Sequence, residues 1–193
     1  LWIGYRDKGL LYLEVDNLNN ISPQFINIKN EPFNDKSLNS NLIYSIYVSK
    51  NNLIWVGTIG SGINIYNPNN NKFSYYKIQS TDKPLPSGSN FIRSVYSDNN
   101  DIVWIGTHNN GLYLFNRKNN TFFKGGFETE SIFYIYDIGN DNILICGSDT
   151  NAIVKLVNNE IKIQSINVNT EATFNAFKSK DDVVWVAGLK GLK

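Results

Sequence analysis

The 193-residue sequence contains no methionine, one cysteine and one histidine. The single cysteine, Cys146, excludes an internal disulfide and any zinc site built from paired cysteines. With His108 as the lone histidine, few ligands remain for a metal cluster, so we expect no metal and no cofactor. These shortages exclude kinds of site but indicate no compartment, because a secreted bacterial domain can lack disulfides as easily as a cytosolic one.

Net charge and long apolar runs are also lacking. Lys and Arg number 18 and Asp and Glu 17, which gives a formal net charge of +1, so no overall field attracts nucleic acid or an anionic membrane. The apolar run that begins at Leu53 is interrupted by Gly57, far short of the roughly 18 residues of a membrane-spanning helix. The strand-like opening at Leu1 without a methionine favours an excised segment, and we expect membrane contact only through other parts of a parent protein.

A short apolar motif with Trp and Gly recurs along the chain. Its marker position is Trp in four copies and Ile in a fifth, with spacings of 53, 49, 41 and 40 residues between Trp2, Trp55, Trp104, Ile145 and Trp185. A period of about 40 to 50 residues is typical of β-propellers. Within one period, short alternating runs are separated by turns rich in Asn and Gly, which predicts four strands per repeat.

The fold class predicted from these repeats is all-β, a partial β-propeller of four-stranded antiparallel blades. No helical periodicity extends over a dozen residues, and blades of this size must stack to bury their faces. We expect three full blades flanked by two partial ones within a single domain, the last partial blade ending after its second strand, and an exposed apolar face where the arc is open. The predicted blade pieces are roughly 1–30, 38–80, 86–125, 129–167 and 170–193.

The best copy of the repeat, residues 95–116, includes Trp104-Ile105-Gly106-Thr107 and Gly111 and resembles the two-component regulator propeller repeat. The resemblance implies part of a larger, seven-bladed propeller in the extracytoplasmic sensor of a bacterial membrane receptor. It further implies a periplasmic or extracellular location, a small-molecule or oligosaccharide ligand, and a parent protein that carries a kinase or cyclase output and forms a homodimer.

The recurring residues of the motif have structural explanations. A Trp is large and flat enough to fill the wedge between neighbouring blades, and the Gly-Thr that follows permits a tight backbone turn. The glycines that open the third strands, Gly62 and Gly111, are expected at bulges or at positive φ. The residues assigned to the repeat framework are Trp2, Trp55, Gly57, Trp104, Gly106 and Trp185.

Propellers bind ligands at the mouth of the central channel, next to the innermost strand of each blade. Two sets of positions at the start of the first strands are therefore candidates: one set holds amides and acids, and the other, three residues further on, holds aromatic rings and Arg. Such groups suit polar sugars, although an Asn there can also form an Asx turn and the rings can simply pack. The candidates are Asn41, Asn90, Glu130 and Glu171, followed by Tyr44, Arg93 and Phe174, with Phe133 in the gapped fourth blade.

Enzymatic alternatives have weaker support. The stretch from Ser97 to Trp104 is similar to the sialidase Asp box, but its Asp98 lies one position early and the box is a structural turn in any case. His108 lies in a polar loop with no acid nearby in sequence, so a surface histidine is favoured over a catalytic one, although ligand contact at the mouth stays open. Cys146 lies within a strand as a small apolar residue. We therefore expect a non-catalytic sensor segment; the alternative is a free-standing propeller that scaffolds protein interactions or belongs to a polysaccharide-active enzyme.

Overall fold

The computed structural model describes residues 1–14, 24–79, 85, 87–98, 100–128, 130–167 and 172–192. Every regular element in these ranges is a β-strand, which confirms the all-β expectation. The strands form five antiparallel sheets, each a meander in chain order, which we call blades 1 to 5. Blades 2, 3 and 4 have four strands each, as predicted, and the outer two have three each.

The strands of the five blades have the following bounds. Blade 1 comprises β1 (Trp2–Tyr5), β2 (Gly9–Tyr12) and β3 (Ile26–Ile28). Blade 2 comprises β4 (Ile43–Val48), β5 (Ile54–Thr58), β6 (Ile63–Asn67) and β7 (Lys72–Tyr76). Blade 3 comprises β8 (Ile92–Ser97), β9 (Ile102–Thr107), β10 (Leu112–Asn116) and β11 (Thr121–Gly126). Blade 4 comprises β12 (Ile132–Gly139), β13 (Asn142–Gly147), β14 (Asn151–Val157) and β15 (Glu160–Asn167). Blade 5 comprises β16 (Thr173–Lys178), β17 (Val184–Gly188) and β18 (Gly191–Leu192).

Blade 5 contains one more strand than we expected. The sequence predicted that this unit ends after its second strand, but the two-residue β18 pairs with the end of β17 through Gly188 and Gly191. Gly191 has a φ of +97°, which lets the chain reverse in a tight turn. Two residues at the end of the chain were too few to show a strand pattern.

The asparagine clusters form the turns between strands. Asn71, Asn109 and Asn120, one from each of three clusters, have φ values of +51°, +60° and +56°. Asn tolerates this left-handed backbone better than most residues, since its side chain bonds locally to the chain. The prediction that these clusters are loops is confirmed at all three positions.

The seams between blades contain the apolar core. Trp55 of β5 is fully buried and packs against Ile92 and Val95 of blade 3. Trp104 of β9 is 1% exposed and packs in the same way against Ile132 of blade 4. Trp2 is half-buried in the seam with blade 2. These three Trp residues therefore lie between their own blade and the next, and the rings of Trp55 and Trp104 are shielded from solvent.

The glycine two residues after Trp55 and Trp104 lies in this seam rather than in a turn, which corrects our expectation. Gly57 and Gly106 lie inside strands, and a Cβ on Gly106 would stand 2.7 Å from the backbone oxygen of Ile132 in the next blade. The turn itself depends on the following Thr, because Thr107 Oγ1 donates to the carbonyl oxygen of Gly111 at 2.8 Å. Gly111 has a φ of +71°, and Gly62 has +83°, so the prediction of positive φ is confirmed at both.

The first strands of successive blades line the inner side of the arc. Strands β4, β8 and β12 each contact the first strand of the following blade, whereas the fourth strands of blades 3 and 4, β11 and β15, scarcely meet. Blades that converge at their first strands and diverge at their fourth are arranged as in a propeller. The beginnings of these four strands therefore lie along one inner edge, which we call the mouth.

Candidate ligand-binding site

A β-bulge recurs at the start of the first strand in four blades. In each blade the pairing with the second strand skips one residue, the second of the first strand. The preceding residue is buried in every case. A bulge leaves its extra residue unpaired and redirects the side chain, and such irregularities are common beside binding sites. The four skipped residues are Tyr44, Arg93, Phe133 and Phe174.

The bulged side chains form one continuous row across the mouth. The Arg93 guanidinium lies over the rings of Tyr44 and Phe133, with its carbon 5.2 Å and 4.8 Å from their centroids. The ring of Phe133 packs on Phe174 with centroids 5.0 Å apart. Tyr44 is 43% exposed and Phe174 47% exposed, so both ends of the row are open to solvent. The structure thus unites Tyr44, Arg93 and Phe174, which the sequence predicted as site residues in three different blades.

Polar contacts hold Arg93 in the middle of this row. Its Nη1 donates to Tyr44 Oη at 3.0 Å, and its Nε donates to His108 Nδ1 at 3.1 Å. The ring of Phe91 supports both partners, with its centroid 5.1 Å from that of Tyr44 and 4.9 Å from that of His108. A guanidinium bound at two nitrogens and flanked by rings has a fixed orientation.

His108 belongs to this site, although the sequence favoured a surface loop. It follows the last residue of β9, and its backbone N–H donates to the carbonyl oxygen of Phe91 at 3.0 Å, so antiparallel pairing brings it beside the start of β8. The ring also lies 3.1 Å from Ser131 Oγ of blade 4. Burial, and then the charge of Arg93, lower the pKa of His108 below its usual value. Since Nδ1 accepts from Arg93, the neutral ring carries its proton on Nε2.

The other predicted candidates connect neighbouring blades. The backbone carbonyls of Asn41, Asn90 and Glu130 accept from the amides of Gly9, Gly62 and Gly111 of the preceding blades, at 3.1, 3.0 and 2.8 Å. Their side chains are engaged too.

Asn41 Oδ1 accepts from the Asn30 amide at 2.7 Å, Asn90 Oδ1 from the Ile78 amide at 2.8 Å, and Glu130 Oε2 from the Thr150 amide at 3.0 Å. These residues form cross-blade links rather than local Asx turns. Glu171, the fourth member of the predicted set, lies outside the described residues.

Sequence reasoning missed Phe91 and Ser131 as members of the site, and for His108 it favoured a surface position while leaving ligand contact open. The repeat itself contained a signal for His108. His108 directly follows the Gly-Thr of the motif, at the end of the second strand. In an antiparallel pair this end lies beside the start of the first strand, where the bulge is. No comparable signal exists for Ser131, whose contacts depend on how closely blades 3 and 4 approach.

Two residues weighed as alternatives have structural roles. Asp98 Oδ1 accepts from the amides of Asn100 and Ile102 at 2.7 and 3.0 Å, and its Oδ2 accepts from Trp104 Nε1 at 3.2 Å, which makes the box-like stretch a turn. Cys146 is fully buried, and burial raises the pKa of its thiol to about 12, so the nucleophilic thiolate is suppressed at neutral pH. Within the part of the chain that the structure describes, no cluster of His, Cys, Asp and Glu is suited to a metal ion.

These features define a β-propeller segment with a cationic and aromatic site at its mouth. The model of the two component regulator propeller family matches residues 37–60 and 86–109. These are the ranges that lead through the first strand and the Trp strand of blades 2 and 3. These two ranges therefore match the two-component regulator propeller repeat, as the motif predicted.

Solved structures share the fold over almost the whole chain. The extracellular domain of a hybrid two component system from B. thetaiotaomicron is similar with a TM-score of 0.75 and 23% identity, over 99% of this chain and 25% of that one. The extracellular domain of a one component system from the same organism has a TM-score of 0.73 and 25% identity, again over 99% and 25%. This chain spans about a quarter of the length of both domains.

The fold also occurs far from signalling receptors. A chain of the Mitotic Checkpoint Complex is similar with a TM-score of 0.73 at 9% identity, over 99% of this chain and 56% of that one. The search of curated proteins found no match. Fold similarity at such low identity carries no function with it. In its described ranges the chain has no helix of the length and apolarity that crossing a bilayer requires.

Proposed function

We propose that this chain is the ligand-sensing part of an extracytoplasmic propeller in a bacterial two-component-type membrane receptor. It acts by binding, not catalysis, and its ligand is a carbohydrate or a similar small polar molecule held at the mouth. The recurring bulge is the observation that carries this proposal. Four blades depart from regular pairing at one position, and the side chains presented there, Tyr44, Arg93, Phe133 and Phe174, form one row.

The chemistry of the row supports a sugar ligand. Aromatic faces pack on the C–H faces of pyranose rings. The rings of Tyr44 and Phe174, at opposite ends of the row, are both exposed and available for such packing. Between them, the guanidinium of Arg93 offers directional N–H donors to ring hydroxyls. The row therefore offers stacking rings at its ends and hydrogen-bond donors in its middle. This arrangement suits a ligand longer than one sugar.

Binding rather than catalysis is supported by the state of His108. Its Nδ1 already accepts from Arg93, and its lowered pKa keeps the ring neutral near pH 7. General acid and base chemistry on glycosides needs a pair of positioned carboxyl groups. Glu130, the predicted acid among the described residues, accepts from the amide of Thr150.

The site residues have two roles in this proposal. Tyr44, Arg93 and Phe174 contact the ligand together with Phe133 and His108. Asn41, Asn90 and Glu130 hold the blades in position through their backbone carbonyls, which accept from glycine amides of the preceding blades. Glu171, at the corresponding place in blade 5, is proposed as a further ligand contact.

The proposed location and output are supported by the fold shared with extracellular domains of two component and one component systems. We place the chain in the periplasm or outside the cell, attached to the membrane through other parts of its parent. Ligand binding across four blades changes the relative stability of their packing arrangements, and a parent homodimer transmits that bias to a cytoplasmic output. With a net charge of +1, the chain has no field that would favour nucleic acid as a partner.

A glycan array tests the proposal. The labelled chain should bind a defined group of oligosaccharides, and Phe174→Ser should lose most of that signal because a stacking ring is removed. Tyr75→Ser is the matched control, since Tyr75 is 49% exposed but lies on the outer strand β7. Equal loss in both variants, or no bound oligosaccharide at all, would contradict the proposed function.

A further inference from the structure

Arg93 has no anionic partner in the part of the chain that the structure describes. The described ion pairs are formed by Arg117, Lys118, Lys124, Lys162 and Lys178, and Arg93 is not among them. The two hydrogen-bond partners of Arg93, Tyr44 Oη and His108 Nδ1, are both neutral acceptors. The side chain is nevertheless half-buried.

A half-buried cation without an anion loses hydration and recovers only part of it from neutral partners. Three aromatic rings surround the guanidinium, with centroids 5.2, 5.3 and 4.8 Å from its carbon for Tyr44, Phe91 and Phe133. The negative faces of these rings offset part of the lost hydration energy. The rings also fix the guanidinium plane. The positive charge of Arg93 is therefore not balanced by a described carboxylate, and its guanidinium is held in a fixed orientation. Both properties are typical of an anion-binding site.

The free donors of the cluster point to the same ligand chemistry. Arginine has five N–H donors, and two of those on Arg93 are used by His108 and Tyr44. The remaining three include both hydrogens of Nη2 and one of Nη1, and this end of the fork matches the two oxygens of a carboxylate or sulfate. Tyr44 Oη accepts from Arg93, so its own hydrogen is available to the same oxyanion. His108 adds the N–H of Nε2.

We infer that the ligand at the mouth is an acidic oligosaccharide, whose carboxylate or sulfate group binds the fork of Arg93 while its neighbouring sugar rings pack on Tyr44 and Phe174. This inference rests on the proposed function and narrows its ligand class. The oxyanion of the ligand supplies the negative charge that no described residue places beside Arg93. A neutral sugar would leave that charge unpaired and would bind less tightly.

Matched pairs of probes separate the charge from the sugar. Oligogalacturonate and its full methyl ester share one sugar backbone and differ in carboxylate charge, and κ-carrageenan oligosaccharides are compared with their desulfated forms to test sulfate. Affinities are measured by calorimetry at low and at 0.5 M salt. We expect one acidic member to bind at least about tenfold more tightly than its neutral partner, with the preference reduced by salt. Which pair shows the preference distinguishes carboxylate from sulfate.

Three variants test the role of Arg93 itself. Arg93→Gln should abolish the preference for the acidic probe, a loss of about tenfold or more, and Arg93→Lys should retain part of it. Lys72→Gln removes the same charge from the outer strand β7 and should change nothing. Thermal unfolding of each variant shows whether it is folded, and the acidic-to-neutral ratio of the wild-type chain decides the question even if Arg93→Gln unfolds.

The opposing outcomes are distinct. Binding of the neutral probes with equal or higher affinity, unchanged in Arg93→Gln, overturns the inference and leaves the proposed function standing. Failure of every probe here and on the glycan array overturns both. If Arg93→Gln and Glu171→Gln lower stability equally and are not additive, the two residues pair with each other and the inference fails.

Discussion

At the scale of single residues, the same repeat position does different work in neighbouring blades. Asp98 in blade 3 reaches both the backbone of its turn and Trp104 Nε1. Ser49 occupies the corresponding position in blade 2, and its Oγ accepts from the Leu53 amide at 3.1 Å. Trp55 Nε1 has no partner among the described residues. One carboxylate therefore decides whether the buried indole N–H is satisfied.

Asp98→Ser should lower the free energy of unfolding by about 2 kcal/mol, because the shorter side chain leaves the buried Trp104 N–H without an acceptor. Urea denaturation measures the change. A double-mutant cycle with Trp104→Phe, which removes the donor, separates this bond from the backbone bonds of Asp98. Additive effects in the cycle would show that the indole bond contributes nothing.

His108 makes stability depend on pH. Its pKa is lowered by burial and by the charge of Arg93, so the folded chain favours the neutral ring more than the unfolded chain does. The stabilising contribution is then complete above the unfolded pKa of about 6.5 and is lost as the pH falls through the lower folded pKa. We expect the wild-type chain to lose stability as the pH falls below about 6.5, beyond any loss shown by His108→Gln. Parallel thermal-unfolding profiles of the two proteins would contradict this.

At the scale of elements, the Trp strand of one blade packs against the first strand of the next. In the filled seams this contact leaves no room for a Cβ after the Trp, because the Ile132 backbone occupies that space at Gly106 and the Ile92 side chain occupies it at Gly57. The same first strand then bulges one residue beyond its buried start and presents its side chain at the mouth. Seam packing and site geometry are thus properties of the same few residues in each repeat.

Gly106→Ala should lower the free energy of unfolding by about 3 kcal/mol or more. The new methyl group would overlap the Ile132 backbone of the next blade. Gly60→Ala is the control. At Gly60 a Cβ would meet nothing within 4 Å, and only the φ of +81° opposes it, at a cost of about 1 kcal/mol. Chemical denaturation should rank Gly106→Ala as the more harmful, and the reverse order would contradict the packing explanation.

The elements were largely predictable, whereas the site was predictable only in part. Alternation and turn residues identified the strands of blades 2 to 4, since those signals are local. Counting from the Trp found Tyr44, Arg93 and Phe174, because repeats place equivalent residues at equivalent points. The pairing of Arg93 with His108 could not be counted in this way. It depends on how far the side chains extend across a bulge and on the distance between blades. Neither property produces a periodic pattern in the sequence.

At the scale of the whole molecule, the five described sheets form an arc whose last face is open. Trp104 is 1% exposed in its seam, whereas Trp185, at the same repeat position in blade 5, is 37% exposed. Phe177 beside it is 51% exposed and stacks on it with centroids 6.5 Å apart. The apolar surface predicted for an unclosed arc is therefore present at this end.

Equivalent substitutions at the two tryptophans should differ strongly in effect. Trp104→Ala should lower the free energy of unfolding by about 4 kcal/mol, since it opens a cavity in a filled seam. Trp185→Ala should lower it by about 1 kcal/mol or less, because much of that ring is already in water. Comparable losses in urea denaturation would show that blade 5 is covered in solution.

The central claim is that the four bulges form one ligand site at the mouth. Fluorine NMR of the chain labelled with fluorophenylalanine tests it most directly, during titration with the oligosaccharide that binds best on the array. The account predicts shifts for Phe91, Phe133 and Phe174 and none for Phe73 and Phe122, which lie on outer strands. Shifts confined to Phe73 and Phe122 would place the ligand on the outer face and contradict the account.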